Sequence, residues 1–164
     1  MPLEKFLVFI IDDDVTMRSH LKEFINTRYP DATVDVFDTG EKALMNLHAK
    51  PDVILLDYHL ENRPDGSLTG IDILKRIKQL LHSVPVIFIS ASDDPQISAD
   101  IIKYGAFDFI LKNQDALQRL EIMINNATGH LSLKKEIATQ KLFNTILVAL
   151  LVLIIILFVI LQFT

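Results

Sequence analysis

Short apolar runs bounded by turn-forming residues alternate along the chain with segments whose apolar residues recur at three- and four-residue spacing. The runs at 6–11, 33–37, 53–56, 86–89 and 107–111 predict five strands rich in Val, Ile and Phe. The first, third and fourth are apolar throughout, as expected of strands covered on both faces. Between them, 16–28, 40–49, 71–81 and 96–104 predict helices, and a fifth is expected over 115–127 with a stop at Thr128-Gly129. Leu21, Phe24 and Ile25 form one apolar stripe, Ala43, Leu44 and Leu47 a second, and Ile73, Leu74 and Ile77 a third. Pro51, Pro85 and Pro95 mark boundaries, because proline cannot donate a backbone hydrogen bond. Five strand–helix repeats imply an α/β fold: a parallel sheet, right-handed crossovers, and helices on both faces.

In such folds chemistry gathers at the C-terminal ends of the strands. Strand one ends in Asp12-Asp13-Asp14, strand three in Asp57, strand four in Ser90-Ala91 and strand five in Lys112. Taken singly each is unremarkable: a triple Asp can be a solvated turn, and strands commonly end in polar residues. Their placement on one edge of one sheet points to a site. Clustered carboxylates repel, so at neutral pH they need raised pKa values or a cation. Oxygen ligands suit a hard ion such as Mg²⁺. One carboxylate is then available as a nucleophile toward phosphorus, with a lysine and a hydroxyl sharing the phosphoryl charge.

The ordered motifs Phe9-Ile10-Ile11-Asp12-Asp13-Asp14 with Met17-Arg18, Ile54-Leu55-Leu56-Asp57, Phe88-Ile89-Ser90-Ala91 and Gly105 to Lys112 resemble the receiver domain of two-component response regulators. The resemblance covers about residues 5–127. It implies a flavodoxin-like, doubly wound sheet in the order 2-1-3-4-5. It also implies that Asp57 is the phosphoacceptor and that Asp12, Asp13, Asp57 and the backbone carbonyl of His59 hold Mg²⁺. Ser90 would be the switch hydroxyl, Lys112 the ammonium that pairs with the phosphoryl group, and Phe109 the aromatic switch residue; Asp14 would be a spare acid. Three departures accompany the match. Asn113 stands where the family usually has a proline after the lysine, Ser90 replaces the commoner threonine, and the loop from Glu61 to Thr69 is long, with Gly70 favoured over Gly66 as the family's helix-start glycine.

Composition changes the picture mainly at the C-terminus. Hydrophobic residues make up 50% of the chain, and an uncharged apolar run over 142–163 supplies much of the excess. Its 22 residues would span about 33 Å as a helix, against about 30 Å of bilayer hydrocarbon. One transmembrane tail anchor is therefore expected over 142–164, joined by a linker over 128–141 to a receiver domain over 1–127. Lys134, Lys135 and Lys141 precede the run, which by the positive-inside rule places the receiver on the cytoplasmic face of the cytoplasmic membrane. A net charge of -5 argues against nucleic-acid binding, and without cysteine no disulfide or thiolate site exists.

The sequence thus leads to a membrane-anchored, stand-alone response regulator and not an enzyme: it accepts a phosphoryl group and hydrolyses it from itself. The expected partners are a sensor histidine kinase or phosphotransfer protein, a membrane-side effector protein, and the lipid bilayer. Two alternatives remain open at this point, a phosphate sink for a kinase and a pseudo-receiver adaptor that is never phosphorylated.

Overall fold

The computed structural model describes residues 5–60 and 68–162, excepting the side chains of 130–139, 142 and 151–162. By its internal contacts the chain divides into two compact units, Met1–Thr128 and Gly129–Thr164.

The first unit contains five strands, β1 (Leu7–Ile11), β2 (Thr33–Phe37), β3 (Val53–Asp57), β4 (Val86–Ser90) and β5 (Asp108–Leu111). All pair in parallel in the order β2-β1-β3-β4-β5. The crossovers are α1 (Val15–Arg28), α2 (Gly40–Met45) followed by a 3₁₀ turn at Leu47–Ala49, α3 (Gly70–Leu80) and α4 (Pro95–Lys103); α5 (Ala116–Gln162) begins in this unit. The expected flavodoxin-like sheet is therefore present. The helix expected over 40–49 is divided at Asn46, whose backbone N–H reaches back to Ala43 and Leu44 and closes α2 early.

Strand alternation sorts the core into two layers. Val8, Ile10, Val53, Leu55, Ile87, Ile89 and Ile110 face Leu21 and Ile25 of α1 and Leu120, Ile124 and Ala127 of α5. Phe9, Ile11, Ile54, Leu56, Val86 and Phe88 face Ala43, Leu47, the α3 stripe Ile73, Leu74 and Ile77, and Ile101 of α4. β3 and β4 are buried at every position, whereas β2 at the sheet edge is mostly exposed, with Val36 open to solvent. Continuous apolar strands thus mark the sheet centre, as double coverage requires.

Capping residues fix where the helices begin. Asp14 accepts from the N–H groups of Thr16 and Met17, Thr39 from Lys42, and Asp94 from Gln96, with Pro95 in the first turn of α4. Thr69 and Asp72 form a reciprocal capping box that starts α3. At the other end of the sheet, Tyr29 ties α1 to α5: its hydroxyl donates to Asn125 Oδ1 at 3.0 Å, and Arg28 pairs with Glu121 at 2.6 Å. Burial, reinforced by the Glu121 charge, pushes the Tyr29 phenol up to about 12.

One expectation about the C-terminus is overturned, and a second finds no support among the described residues. Thr128-Gly129 does not stop α5, which runs to Gln162. Glycine weakens a helix by about 1 kcal/mol without breaking it, and Gly129 here takes no left-handed conformation. Among the described residues no helix is long and apolar enough to cross a membrane, so the expected transmembrane helix over 142–163 finds no support there. The stretch of that run with described side chains, 143–150, would cover about 12 Å as a helix, well short of a bilayer. The remainder of the run's side chains, and the loop over 61–67, lie outside the described residues.

Candidate functional site

The register of the sheet brings the acidic strand ends together. Ile11 pairs with Leu56 and Ile10 with Leu55, so the next residues, Asp12 and Asp57, leave neighbouring strands side by side and on the same layer. Both are buried, at 1% and 4% exposure, which is uncommon for carboxylates and calls for compensating charge. Asp12, Asp13 and Asp57 each offer an oxygen within 4.8 Å of the others. A cavity of about 820 Å³ opens over them, lined also by Asp14, Val15, His59, Ala91, Ser92 and Lys112.

Lys112 supplies the compensating charge. Its backbone N–H donates to the Ser90 carbonyl at 2.7 Å, extending the β4–β5 ladder by one residue and aiming the side chain over the sheet edge. The ammonium lies 2.8 Å from Asp57 Oδ1 and 3.1 Å from Asp12 Oδ2. Asp57 Oδ1 takes this contact as an ion pair and accepts no hydrogen bond of good geometry among the described residues. Burial raises the Asp57 carboxyl to about 6 against the pull of Lys112, and the Asp12 and Asp13 charges push the same way as burial. Burial opposes the charged form of Lys112, but the adjoining carboxylates outweigh it and hold its pKa above the ordinary value.

Asp12 is held at every polar group. Its N–H donates to the Phe37 carbonyl, its Oδ1 accepts from the Asp14 N–H at 2.8 Å, its Oδ2 meets Lys112, and its carbonyl accepts from the Arg18 guanidinium. Asp14, the third acid of the run, points instead into the first turn of α1 as its N-cap. The Thr16 and Met17 N–H groups hold its carboxyl below the ordinary range. A capping role for Asp14 was readable from the sequence, since Asp directly before a helix is a favoured N-cap.

Of the residues singled out from the sequence, Asp12, Asp13, Asp57, His59 and Lys112 meet at one cavity. Ser90 ends β4 at the same sheet edge but is fully buried. Its Oγ accepts from the Ser92 N–H at 3.1 Å, and it is Ala91 and Ser92 that reach the cavity wall. Phe88 pairs with Phe109 and Ser90 with Leu111, so alternation puts Ser90 and Phe109 on the α3–α4 side of the sheet, opposite the layer of Asp57. Phe109 is partly buried there. No cis peptide bond occurs among the described residues, as Asn113 in place of proline leads one to expect.

Gly70, the first residue of α3, underlies the Asp57 turn. A Cβ there would lie 3.0 Å from the Tyr58 carbonyl oxygen and 3.1 Å from that of Asp57, both backbone atoms with little freedom to yield. Gly70→Ala is expected to cost about 1–3 kcal/mol in urea unfolding. The same substitution should displace the Asp57 and Tyr58 amide resonances while leaving those of β2 in place.

The fold and this cavity define a doubly wound α/β domain with an acidic site at the C-terminal edge of its sheet, and sequence comparison gives its family. The chain belongs to the response regulator receiver domain family, whose sequence model matches residues 8–125. The regulatory protein LuxO of Vibrio cholerae is 33% identical over 112 residues, covering 68% of this chain and 23% of LuxO. The DNA-binding transcriptional regulator NtrC of Escherichia coli is 28% identical over 129 residues, covering 78% of this chain and 26% of NtrC. The chain thus spans about a quarter of the length of these relatives. Among solved structures, the receiver domain of a putative LuxO repressor protein from Vibrio parahaemolyticus shares the fold with a TM-score of 0.70 at 22% identity, covering 81% of this chain and 97% of that one. A receiver domain protein from Clostridium thermocellum has a TM-score of 0.67 at 26% identity, covering 78% and 98%.

Proposed function

We propose that this chain is a response regulator that takes a phosphoryl group on Asp57 from a phosphohistidine of a sensor kinase or phosphotransfer protein, and signals through the phosphorylated state. The observation that carries the reading is the buried Asp57 carboxylate at the floor of an open acidic cavity, ion-paired to Lys112. An Asp57 oxygen attacks phosphorus as the P–N bond to imidazole breaks. The electron pair leaves on the imidazole nitrogen, which takes up a proton from water. Lys112 remains beside the new acyl phosphate and shares its charge. Ser90 would turn its hydroxyl from the Ser92 amide toward a phosphoryl oxygen, and Phe109, on the same side of the sheet, is placed to move into the space beside it.

Three carboxylates facing one ammonium fit a hard divalent cation, and Asp12, Asp13 and Asp57, with the His59 carbonyl, would hold Mg²⁺. When bound, that ion supplies charge neutralisation for the transferring phosphoryl oxygens. We expect the chain to take up phosphoryl groups from a small acyl phosphate in Mg²⁺ and to take up none once the ion is chelated. Uptake unaffected by chelation would refute the metal assignment. Uptake absent in both conditions would favour the adaptor alternative. We read the chain as a phosphoryl acceptor that hydrolyses its own phosphate, not as a turnover enzyme.

We also propose that the apolar segment over 142–163 holds the domain at a membrane, with the receiver on the cytoplasmic side and an effector at the same surface. The support is the sequence, which has no charged residue across these positions, together with the exposure of Phe143, Ile146, Val148 and Leu150. An apolar surface on several sides of one helix needs a cover. The chain is expected to float with phospholipid vesicles and to lose this on truncation after Thr128. Flotation that survives truncation would refute the anchor.

A further inference from the structure

Arg18 has no role in the acceptor chemistry above, and helix stability does not explain it. It lies in the first turn of α1, where the helix dipole disfavours a cation. Among the described residues its guanidinium forms no ion pair; instead it donates to the backbone carbonyl of Asp12. Asp12 lies at the hinge between β1 and α1, and its other polar groups are fixed to Phe37, Asp14 and Lys112. Asp38, which directly follows β2 beside this turn, is held below the ordinary carboxyl range chiefly by Lys42, with the Arg18 charge acting in the same direction. Arg18 thus braces the turn that carries both Asp12 and Asp13 through the Asp12 carbonyl.

We propose that Arg18 is a positioning residue for the acidic pair: by holding the Asp12 carbonyl it keeps the β1–α1 turn in the conformation that aims Asp12 and Asp13 at a shared divalent cation. The proposal rests on the reading of those residues as the metal-holding pair. It makes a prediction opposite in sign to simple electrostatics. Removing a positive charge near a cation site should tighten cation binding if charge alone matters. Removing a group that orients the ligands should weaken it, by roughly tenfold or more in comparable sites.

The test is Mg²⁺ titration of the full chain by calorimetry, comparing the parent with Arg18→Gln, Arg18→Lys and Lys22→Gln. Lys22 is exposed on the same helix, so its substitution removes a charge without touching the turn. Arg18→Gln is expected to raise the Mg²⁺ Kd about tenfold, Arg18→Lys to lie between it and the parent, and Lys22→Gln to leave Kd unchanged or slightly lower. Without metal, amide exchange at Asp14 should quicken in Arg18→Gln while the β1 amides of residues 8–11 keep their protection. General destabilisation would instead quicken both. The proposal is overturned if Arg18→Gln binds Mg²⁺ as tightly as the parent or tighter or, should that variant not fold, if Arg18→Lys does. Failure of the parent itself to bind Mg²⁺ would refute the metal-holding reading of Asp12 and Asp13 instead.

Discussion

Lys112→Ala is expected to slow phosphoryl uptake by about a hundredfold or more and to destabilise the metal-free domain by about 3 kcal/mol at pH 8. Both effects come from one geometry. The ammonium is 2.8 Å from Asp57 and 3.1 Å from Asp12, and its side chain is only 18% exposed, so solvent cannot replace it fully. Its removal leaves a buried carboxylate cluster with no nearby cation. The stability loss should shrink toward pH 5, because Asp57 takes up a proton more readily once Lys112 is gone. Mg²⁺ should also reduce it, while the rate defect persists in saturating Mg²⁺. Urea melts at the two pH values and uptake kinetics separate the two effects. Equal destabilisation with and without Mg²⁺ would contradict the assignment of Lys112 as counter-charge to the metal-holding acids.

The second large effect is the pH dependence of stability in the absence of metal. Asp57 titrates near 6 in the folded protein against an ordinary 3.8, raised by burial and then by Asp12 and Asp13. A carboxyl with a raised folded pKa binds its proton more tightly in the native state. Its contribution is therefore fully present below about pH 4 and is lost as pH rises through 6. The difference is at most about 3 kcal/mol, less whatever solvent screening removes through the open cavity. Asp57→Asn removes this loss. The variant should be more stable than the parent above pH 6, with the advantage fading by pH 4. Saturating Mg²⁺ should close most of the gap at neutral pH by stabilising the parent. A variant less stable than the parent at pH 7.5 without metal would contradict this balance of charges.

The centre of the fold was legible because its strands carry no ambiguity. β1, β3 and β4 are continuous apolar runs of the right length, and their polar terminal residues showed which edge to inspect. β2 was found despite its exposure, since Val34 and Val36 keep strand chemistry even at an edge. The misplaced boundaries lie where local signals are weak against their surroundings. Asn46 ends α2 through its own backbone hydrogen bonds, and Gly129 continues a helix because the cost of about 1 kcal/mol for one glycine is too small to break it.

The site was legible in residue type and less so in orientation. Asp12, Asp57 and Lys112 project into one cavity because register and strand length require it. Ser90 obeys the same alternation with the opposite result, and the Ser92 amide that engages its hydroxyl belongs to a turn no periodicity describes. The capping of Asp14 could have been read from its place before α1. The Arg18 contact to Asp12 could not, because side-chain direction across a turn is set by tertiary packing.

The most direct measurement is the site of phosphorylation. The chain, treated with an acyl phosphate in Mg²⁺ and reduced with borohydride, would be digested and its peptides sequenced by mass spectrometry. Borohydride converts an aspartyl phosphate to homoserine, and homoserine is expected at Asp57 and at no other carboxylate. Homoserine at Asp12 or Asp13 with Asp57 unchanged, or stable phosphate on Ser90 or Ser92, would contradict it.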